Sequence, residues 1–370
     1  MEAAPIVIAG GGLSGLYAAY RLERHGVRDV LLLEARPALG GRIASLAAAS
    51  TNDRFDLGPT WYWPEFQPEL HRLLDELELG RFVQPDAGDL MVERMAGQAP
   101  ARVAGYPGMM PVSMRVAGGM AAVIDALHSR LTRTRIVLGR PLLRVRSAED
   151  GLELDVGGGA GGIESLHAGH LLMAMPPRLA AQTVEFQPAL PQALERSWRD
   201  APTWMAAHAK YLAVYRRPFW RSHGLSGGAR SALGPLVEIH DASNPAGGAA
   251  LFGFFGVPAQ VRRSVPESAW RARCRAQLAR LFGSDAAVPE IDAIRDWAAD
   301  PFTATAADRD GDGSHGSHHS AAPPAAAESG PWRGRLTGIG SEWSPRFPGY
   351  VAGAVEAADR GVAALVENLG

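Results

Sequence analysis

Cysteine is almost absent: Cys274 is the single cysteine in 370 residues. An internal disulfide framework is therefore excluded, and the usage suits a reducing compartment. Lysine is equally scarce, since Lys210 is the one lysine among 37 basic residues and the other 36 are arginine. No apolar run reaches the roughly 18 residues that a membrane-spanning helix needs, so no span is expected. Charge of one sign is not in excess either. A formal net charge of -2 with 7% aromatic residues gives no footprint for a nucleic-acid partner. The first apolar run opens at Ile6, which leaves no room for a secretory leader. The final helical pattern, 350–369, carries Glu356, Asp359, Arg360 and Glu367 with no apolar anchor behind it. The expectation is a cytoplasmic protein of about two domains, with its oligomeric state left open.

What is present is concentrated near the start. Ile6-Val7-Ile8-Ala9 reads as a buried parallel strand, followed by a glycine turn and a helix from about Leu13 through Leu22. Gly10, Gly12 and Gly15 fit the dinucleotide fingerprint. Gly10 permits the tight turn, Gly12 lets the backbone approach a pyrophosphate, and Gly15 lets helix and strand pack closely. Leu13 and Ser14 then open a helix whose free N–H groups face the phosphates. A second apolar run, Val30–Leu33, ends in Glu34, where a carboxylate can hold a ribose hydroxyl.

The next segment reads Ala35-Arg36-Pro37-Ala38-Leu39-Gly40-Gly41-Arg42, then Phe55-Asp56-Leu57-Gly58-Pro59-Thr60-Trp61. The glycine pair allows another close backbone approach, and the arginine offers a guanidinium to phosphate oxygens. Here the chain resembles the flavin-containing amine oxidase family, which includes monoamine and polyamine oxidases and related FAD enzymes. The resemblance implies that Glu34, Ala35, Arg36, Gly41, Arg42 and Gly58, Pro59, Thr60, Trp61 wrap FAD. It also implies that Leu142, after Arg140-Pro141, faces the adenine. The fold it implies is α/β: a Rossmann-like FAD-binding domain from 1–65, 113–199 and 295–370, and an α+β substrate domain with an antiparallel sheet from 66–112 and 200–294.

Periodicity fills in the elements. An amphipathic helix is expected at 66–80, turns and a hairpin at 81–112, and a helix from Met120 to Leu131. Strands are expected at 135–138, 142–146 and 152–156, then at 171–175, with a helix at 190–199. Met205 to Tyr215 alternates, placing His208, Lys210, Leu212 and Val214 on one face. Further strands are read at 236–240 and 251–255. A helix at 266–283 should turn Arg271, Arg273, Arg275 and Arg280 to solvent and bury Cys274. Residues 303–330 are low in complexity and read as a mobile loop. That loop contains Asp308-x-Asp310-x-Asp312-Gly313, a partial copy of a calcium loop. The twelfth position is His319 rather than glutamate, so no metal site is assigned, although His315, His318 and His319 are noted.

Two positions carry the expected chemistry. A lysine on an apolar strand commonly snorkels to an edge, yet in an arginine-rich chain the lone Lys210 stands where a guanidinium would not serve. The surrounding segment resembles the family strand whose lysine holds a water against flavin N5. At the other end, Leu336–Gly340 reads as a strand before Ser341-Glu342-Trp343 and Phe347-Pro348-Gly349-Tyr350-Val351. The resemblance implies that Glu342 lies near the ribityl chain, that Tyr350 walls the substrate amine, and that Val351 begins a helix pointed at the flavin. The second wall aromatic and the flavin-linking cysteine of some members are missing from 301–307, so FAD should be noncovalent, with Phe302 or Trp297 as candidate walls. Gly224-Leu225-Ser226-Gly227-Gly228 matches a hydrolase elbow, but Arg230–Pro235 will not continue the helix which that motif requires.

The reaction implied is hydride transfer from the carbon alpha to an amine onto flavin N5, giving an imine, with reoxidation by O2 and release of peroxide. Two alternatives stay open: an FAD desaturase or dehydrogenase of a nonamine substrate with another acceptor, and a noncatalytic FAD-containing binding protein.

Overall fold

The computed structural model describes residues 5–48, 53–105, 111–158, 161–310 and 321–369. A five-stranded parallel sheet lies at its centre, in the order Leu336–Gly338, His170–Met173, Ile6–Ala9, Val30–Glu34, Arg135–Leu138. The strand Ile6–Ala9 is buried on both faces. Ile6 and Ile8 point to the helical layer, where helices Leu13–Arg24, Ala121–Arg130 and Val351–Leu369 pack. Val7 and Ala9 point to the opposite layer, a four-stranded sheet formed by 163–168, 151–157, 142–148 and 185–187. This two-sided burial explains a continuous apolar run where an exposed strand would alternate.

A second sheet of seven strands runs Ile291–Asp296, Ala209–Tyr215, Ala249–Phe255, Leu236–Asp241, Leu225–Ser231, Asp89–Glu93, Ala101–Val103. Its pairings are antiparallel except between 225–231 and 89–93. The alternation in 209–215 sorts as expected. Ala209, Tyr211, Ala213 and Tyr215 pack under helix Glu267–Phe282 with Cys274. Leu212 and Val214 pack on the other face with Phe55, Phe252 and the partly buried Leu57 and Trp61. That face is turned to the segment 55–61, and Lys210 lies on it.

Several expectations are corrected. The strand begins at Ala209, not Met205: residues 204–207 form a turn in which Met205 takes a left-handed φ of 60°. Helix Pro68–Glu76 packs through Leu70, Leu73 and Leu74 into the core of the parallel sheet, whereas 89–93 and 101–103 join the seven-stranded sheet. The stretch 66–112 is therefore split between the two bodies. On helix 267–282, Arg271 and Arg275 reach the buried Asp292, and Arg280 pairs with the buried Glu93 at 2.9 Å. Arg273 and Arg280 are exposed as expected and Arg271 and Arg275 partly so; the ion pairs are an addition, since the neighbouring strands present carboxylates that composition alone does not reveal.

The expected mobile loop at 303–330 is anchored at both arms. Thr303, Thr305 and Asp308 are buried, and Asp308 takes the N–H groups of Thr203 and Thr305 and the Arg178 guanidinium. On the return, Trp198 Nε1 donates to the Pro324 carbonyl at 2.8 Å and Gly338 N donates to Ala325 at 2.7 Å. Asp312, Gly313, His315, His318 and His319 lie outside the described residues, as does the side chain of Asp310. Among the described residues no group of three or more His, Cys, Asp or Glu side chains is placed to hold a metal ion. No helix of the described residues is long and apolar enough to cross a membrane.

Candidate active site

One continuous cavity of about 890 Å³ runs from the end of the parallel sheet to the lysine-bearing face of the seven-stranded sheet. It lies toward the upper end of the size range of ligand pockets.

Its first part is built from the glycine turn. Gly10 has φ +122°, and a Cβ there would lie 2.5 Å from the Ala174 carbonyl oxygen. A Cβ on Gly15 would lie 1.9 Å from the Gly10 oxygen, so this glycine serves the helix–strand contact and does not line the cavity. Gly12 is different: a Cβ there would meet nothing in the protein closer than 3.7 Å. The space kept free at Gly12 belongs to the cavity. Helix 13–24 begins there with no side-chain cap, so its first N–H groups are left for a ligand. Leu13 and Ser14 line the same wall.

The buried Glu34 carboxylate accepts the N–H of Gly11 at 2.6 Å and of Arg36 at 2.8 Å. Its place is thereby fixed at the strand end, beside Ala35, Arg140, Pro141 and Leu142 on the cavity wall. Arg36 is held by Asp300 at 2.8 Å and Thr303 at 3.0 Å and lies over Phe302. Gly40 N donates to the Gly11 carbonyl at 2.9 Å, which joins the two glycine turns and sets Gly41 and Arg42 on the same wall. Arg42 is bidentate to Glu342, at 2.5 and 3.0 Å, and also donates to Ser341 Oγ at 2.9 Å. Glu342 is buried and anchors Arg42, next to Gly340 and Ser341 of the cavity wall.

The second part lies between the two bodies. Gly58, Pro59, Thr60 and Trp61 form one side, Tyr350 and Val351 another, and Lys210 a third. A Cβ on Gly58 would lie 2.1 Å from the Arg42 carbonyl oxygen, which explains a glycine in that turn. Lys210 is 2% exposed. Its Nζ donates to Thr60 Oγ1 at 2.6 Å and to the Gly58 carbonyl at 3.1 Å, and lies 3.8 Å from the Phe252 ring centroid. Burial pushes its pKa down to about 7, against the pull of the buried Asp56 and with the help of Arg115. Asp56 is itself pushed up by burial and drawn back by Lys210 and Arg115. The lysine therefore does not snorkel. It is a buried amine that can change protonation state near neutrality.

A further aromatic lies beside Tyr350. Trp204 stacks on Tyr350 with ring centroids 6.0 Å apart and planes 25° apart, and both line the cavity. Gly349 makes this approach possible, because a Cβ there would lie 2.2 Å from Trp204 Cβ. Phe302 instead sits under Arg36, and Trp297, which also lines the cavity, is held through Nε1 to the Leu57 carbonyl at 3.4 Å. Trp204 lies one residue before the alternating run 205–215, so periodicity does not single it out. The left-handed Met205 next to it leaves no compositional mark. Ser226 of the hydrolase-like match lies within strand 225–231, its hydroxyl donating to the Asp89 carbonyl at 3.1 Å.

Comparison with known proteins decides the class. The family model described as flavin containing amine oxidoreductase matches residues 87–366. The chain belongs to this family. A second model, an NAD(P)-binding Rossmann-like domain, matches residues 8–77, where the glycine turn lies. An L-amino acid dehydrogenase of Synechocystis is 25% identical over 70% of this chain and 52% of its own length. The chain thus spans about half of that relative. A probable flavin-containing monoamine oxidase A of Dictyostelium discoideum is 24% identical over 80% of this chain and 84% of its own. A putrescine oxidase of Kocuria rosea is 31% identical over 41% of this chain and 34% of its own. A solved putrescine oxidase bound to putrescine shares the fold, with a TM-score of 0.77 at 20% identity over 98% of this chain and 99% of the other. Cyclohexylamine oxidase from Brevibacterium oxydans does so with a TM-score of 0.78 at 20% identity over 99% of both chains.

This flavin-containing oxidoreductase has FAD as its cofactor, and the uncapped helix, the free space at Gly12 and the fixed Glu34 fit a dinucleotide. Cys274 is buried under the far face of the seven-stranded sheet, so no cysteinyl bond joins the protein to a cavity-bound flavin.

Proposed function

We propose that this chain oxidises a small primary or secondary amine to an imine, which water then hydrolyses, with O2 as the final acceptor. The observation that carries the reading is Lys210: the sole lysine, buried in the cavity wall and held by Gly58 and Thr60. When bound, FAD supplies a two-electron acceptor for the hydride on the carbon next to nitrogen and returns those electrons to O2 as peroxide.

The residues proposed to hold FAD divide by position. Glu34, Ala35, Arg36 and Leu142 would take the adenosine end; Gly10, Gly12, Leu13, Ser14, Gly41 and Arg42 the pyrophosphate; Gly58, Pro59, Thr60, Trp61 and Val351 the ring system. Tyr350 and Trp204 present aromatic faces that receive an amine and orient its carbon. Lys210 has two of its hydrogen-bonding positions filled by Thr60 and Gly58. Its remaining position holds a water, as donor when protonated and as acceptor when neutral. Little proton movement is asked of the protein if the amine arrives neutral.

The experiment is multiple turnover with a panel of amines in air, following the carbonyl product and peroxide. One carbonyl and one peroxide per amine consumed is the expected result, and absence of both with every amine overturns the reading. A second reading is favoured by the similarity to the L-amino acid dehydrogenase: the same oxidation with electrons passed to a carrier. Amine-reduced protein that stays reduced in air, yet reoxidises with a quinone, would select it.

A further inference from the structure

The entrance to helix Pro68–Glu76 leaves a buried donor that the proposed reaction does not use. Gln67 stands just before this helix, where a polar side chain ordinarily caps the first free N–H groups, yet it makes no such cap. It turns back instead, and Gln67 Oε1 accepts the N–H of Trp63 at 3.1 Å. Its backbone is engaged on both sides: Gln67 N donates to the Trp63 carbonyl at 2.9 Å, and the Gln67 carbonyl accepts the N–H of His71 at 3.1 Å. A backbone N–H can bond only the oxygen end of a carboxamide, so the Trp63 contact fixes which way the amide lies. The nitrogen end is left over. Among the described residues none accepts a hydrogen bond from Gln67 Nε2, although the residue is 5% exposed and borders the cavity together with Trp63.

The neighbouring elements place this donor. Leu70, Leu73 and Leu74 hold the helix in the core of the parallel sheet. Arg346 bonds Glu69 at 3.0 Å and also Glu356 of helix Val351–Leu369. Glu69 lies two residues beyond Gln67, and Arg346 four before Tyr350, so this bridge sets Gln67 on the Tyr350 side of the cavity. Trp63, Tyr350 and Trp204 give that side an aromatic, uncharged lining. An amide N–H pair buried in such a wall calls for an acceptor. A carboxylate answered by one neutral amide would lack the bonds its buried charge requires. An uncharged oxygen is the acceptor that fits.

We propose that Gln67 sets substrate specificity: its Nε2 donates to an uncharged oxygen (hydroxyl, ether or carbonyl) on the chain of an amine whose nitrogen lies against Tyr350 and Trp204. This rests on the amine-oxidation reading for the nitrogen, and it narrows the substrate class to oxygen-bearing amines over plain alkylamines. A hydrogen bond between uncharged partners sets the size of the effect, about threefold to tenfold in affinity.

The test uses the FAD-loaded protein reduced beforehand with dithionite, so that binding is read without turnover. Titration calorimetry at about pH 9 compares n-alkylamines with amines of equal length in which an ether oxygen replaces one methylene, at each position in turn. Water solvates the ether better than the methylene, so the quantity read is the ether-to-alkyl affinity ratio of the wild type divided by that of a variant. Gln67→Met removes the donor. Gln67→Glu keeps an oxygen for the Trp63 N–H and, ionised at this pH, has no proton to donate, which preserves the helix entrance if Gln67→Met disturbs it. The expected quotient is about threefold to tenfold at one oxygen position and near one at the others. A quotient near one at every position overturns the proposal, and a loss of FAD affinity in both variants alongside it would give the donor to the flavin. Failure of every amine to reduce the oxidised flavin would instead refute the reading of the reaction, while the calorimetry still judges Gln67.

Discussion

Replacing Lys210 with methionine keeps an unbranched apolar stem, one atom shorter, and removes the nitrogen. In the native protein that nitrogen is enclosed by Gly58, Thr60 and the Phe252 ring. The fall of its pKa from 10.5 to about 7 corresponds, at about 1.4 kcal/mol per tenfold, to roughly 5 kcal/mol against charging it in place. Below pH 7 both folded and unfolded chains carry the proton. Between about 7 and 10.5 the unfolded chain keeps it and the folded chain does not, so stability rises with pH across that window. Wild-type stability minus that of Lys210→Met should therefore increase by about 2 to 3 kcal/mol between pH 7 and pH 9. Equilibrium urea unfolding of both proteins at several pH values measures it. The same ionisation should appear in flavin reduction by an amine, as a step near pH 7 in the wild-type rate, because the hydrogen bond between Lys210 and its water reverses direction there. Lys210→Met should be on the order of a hundredfold slower and lack that step, with FAD still bound. A stability difference that does not vary with pH, together with an unaltered rate profile, would refute the placement of a titrating lysine in the cavity.

Four further outcomes follow from the same geometry. Asp56→Asn removes the charge that supports the Lys210 ammonium, so the kinetic step should move below pH 7, as a pH–rate series would reveal. Gly12→Ala should leave the melting temperature of the FAD-free protein unchanged while weakening FAD binding at least about tenfold by fluorescence titration; Gly15→Ala, whose Cβ would meet the Gly10 oxygen at 1.9 Å, should destabilise the fold by about 3 kcal/mol or more. Arg42→Ala strips the partner from the buried Glu342 and should cost about 3 to 5 kcal/mol by denaturant unfolding, with much of it restored by adding Glu342→Gln. Burial pushes the Cys274 thiol well up; a thiol reagent should label it only after unfolding, and acid precipitation should release all the FAD into the supernatant.

The nucleotide side was legible because its residues answer local demands. Gly10, Gly15 and Glu34 each sit where backbone geometry or a strand end requires that residue type, with no dependence on distant contacts. Lys210 was legible through scarcity. The substrate side was less so, since its walls come from residues far apart in sequence. Trp204 reaches Tyr350 only through a left-handed Met205 and a bare Gly349. Glu342 sits in the expected motif, held by the bidentate Arg42 in an ion pair spanning most of the chain. Low complexity at 303–330 concealed Thr305, Asp308 and Ala325, whose backbone and side-chain bonds anchor both arms.

The most direct measurement of the central claim is anaerobic. Purified protein with its flavin fully oxidised is mixed with primary, secondary and polyamines, and the visible absorbance is followed. Bleaching by at least one class of amine is expected, with return of the yellow colour when O2 is admitted. Full flavin occupancy with no bleaching by any amine would contradict it.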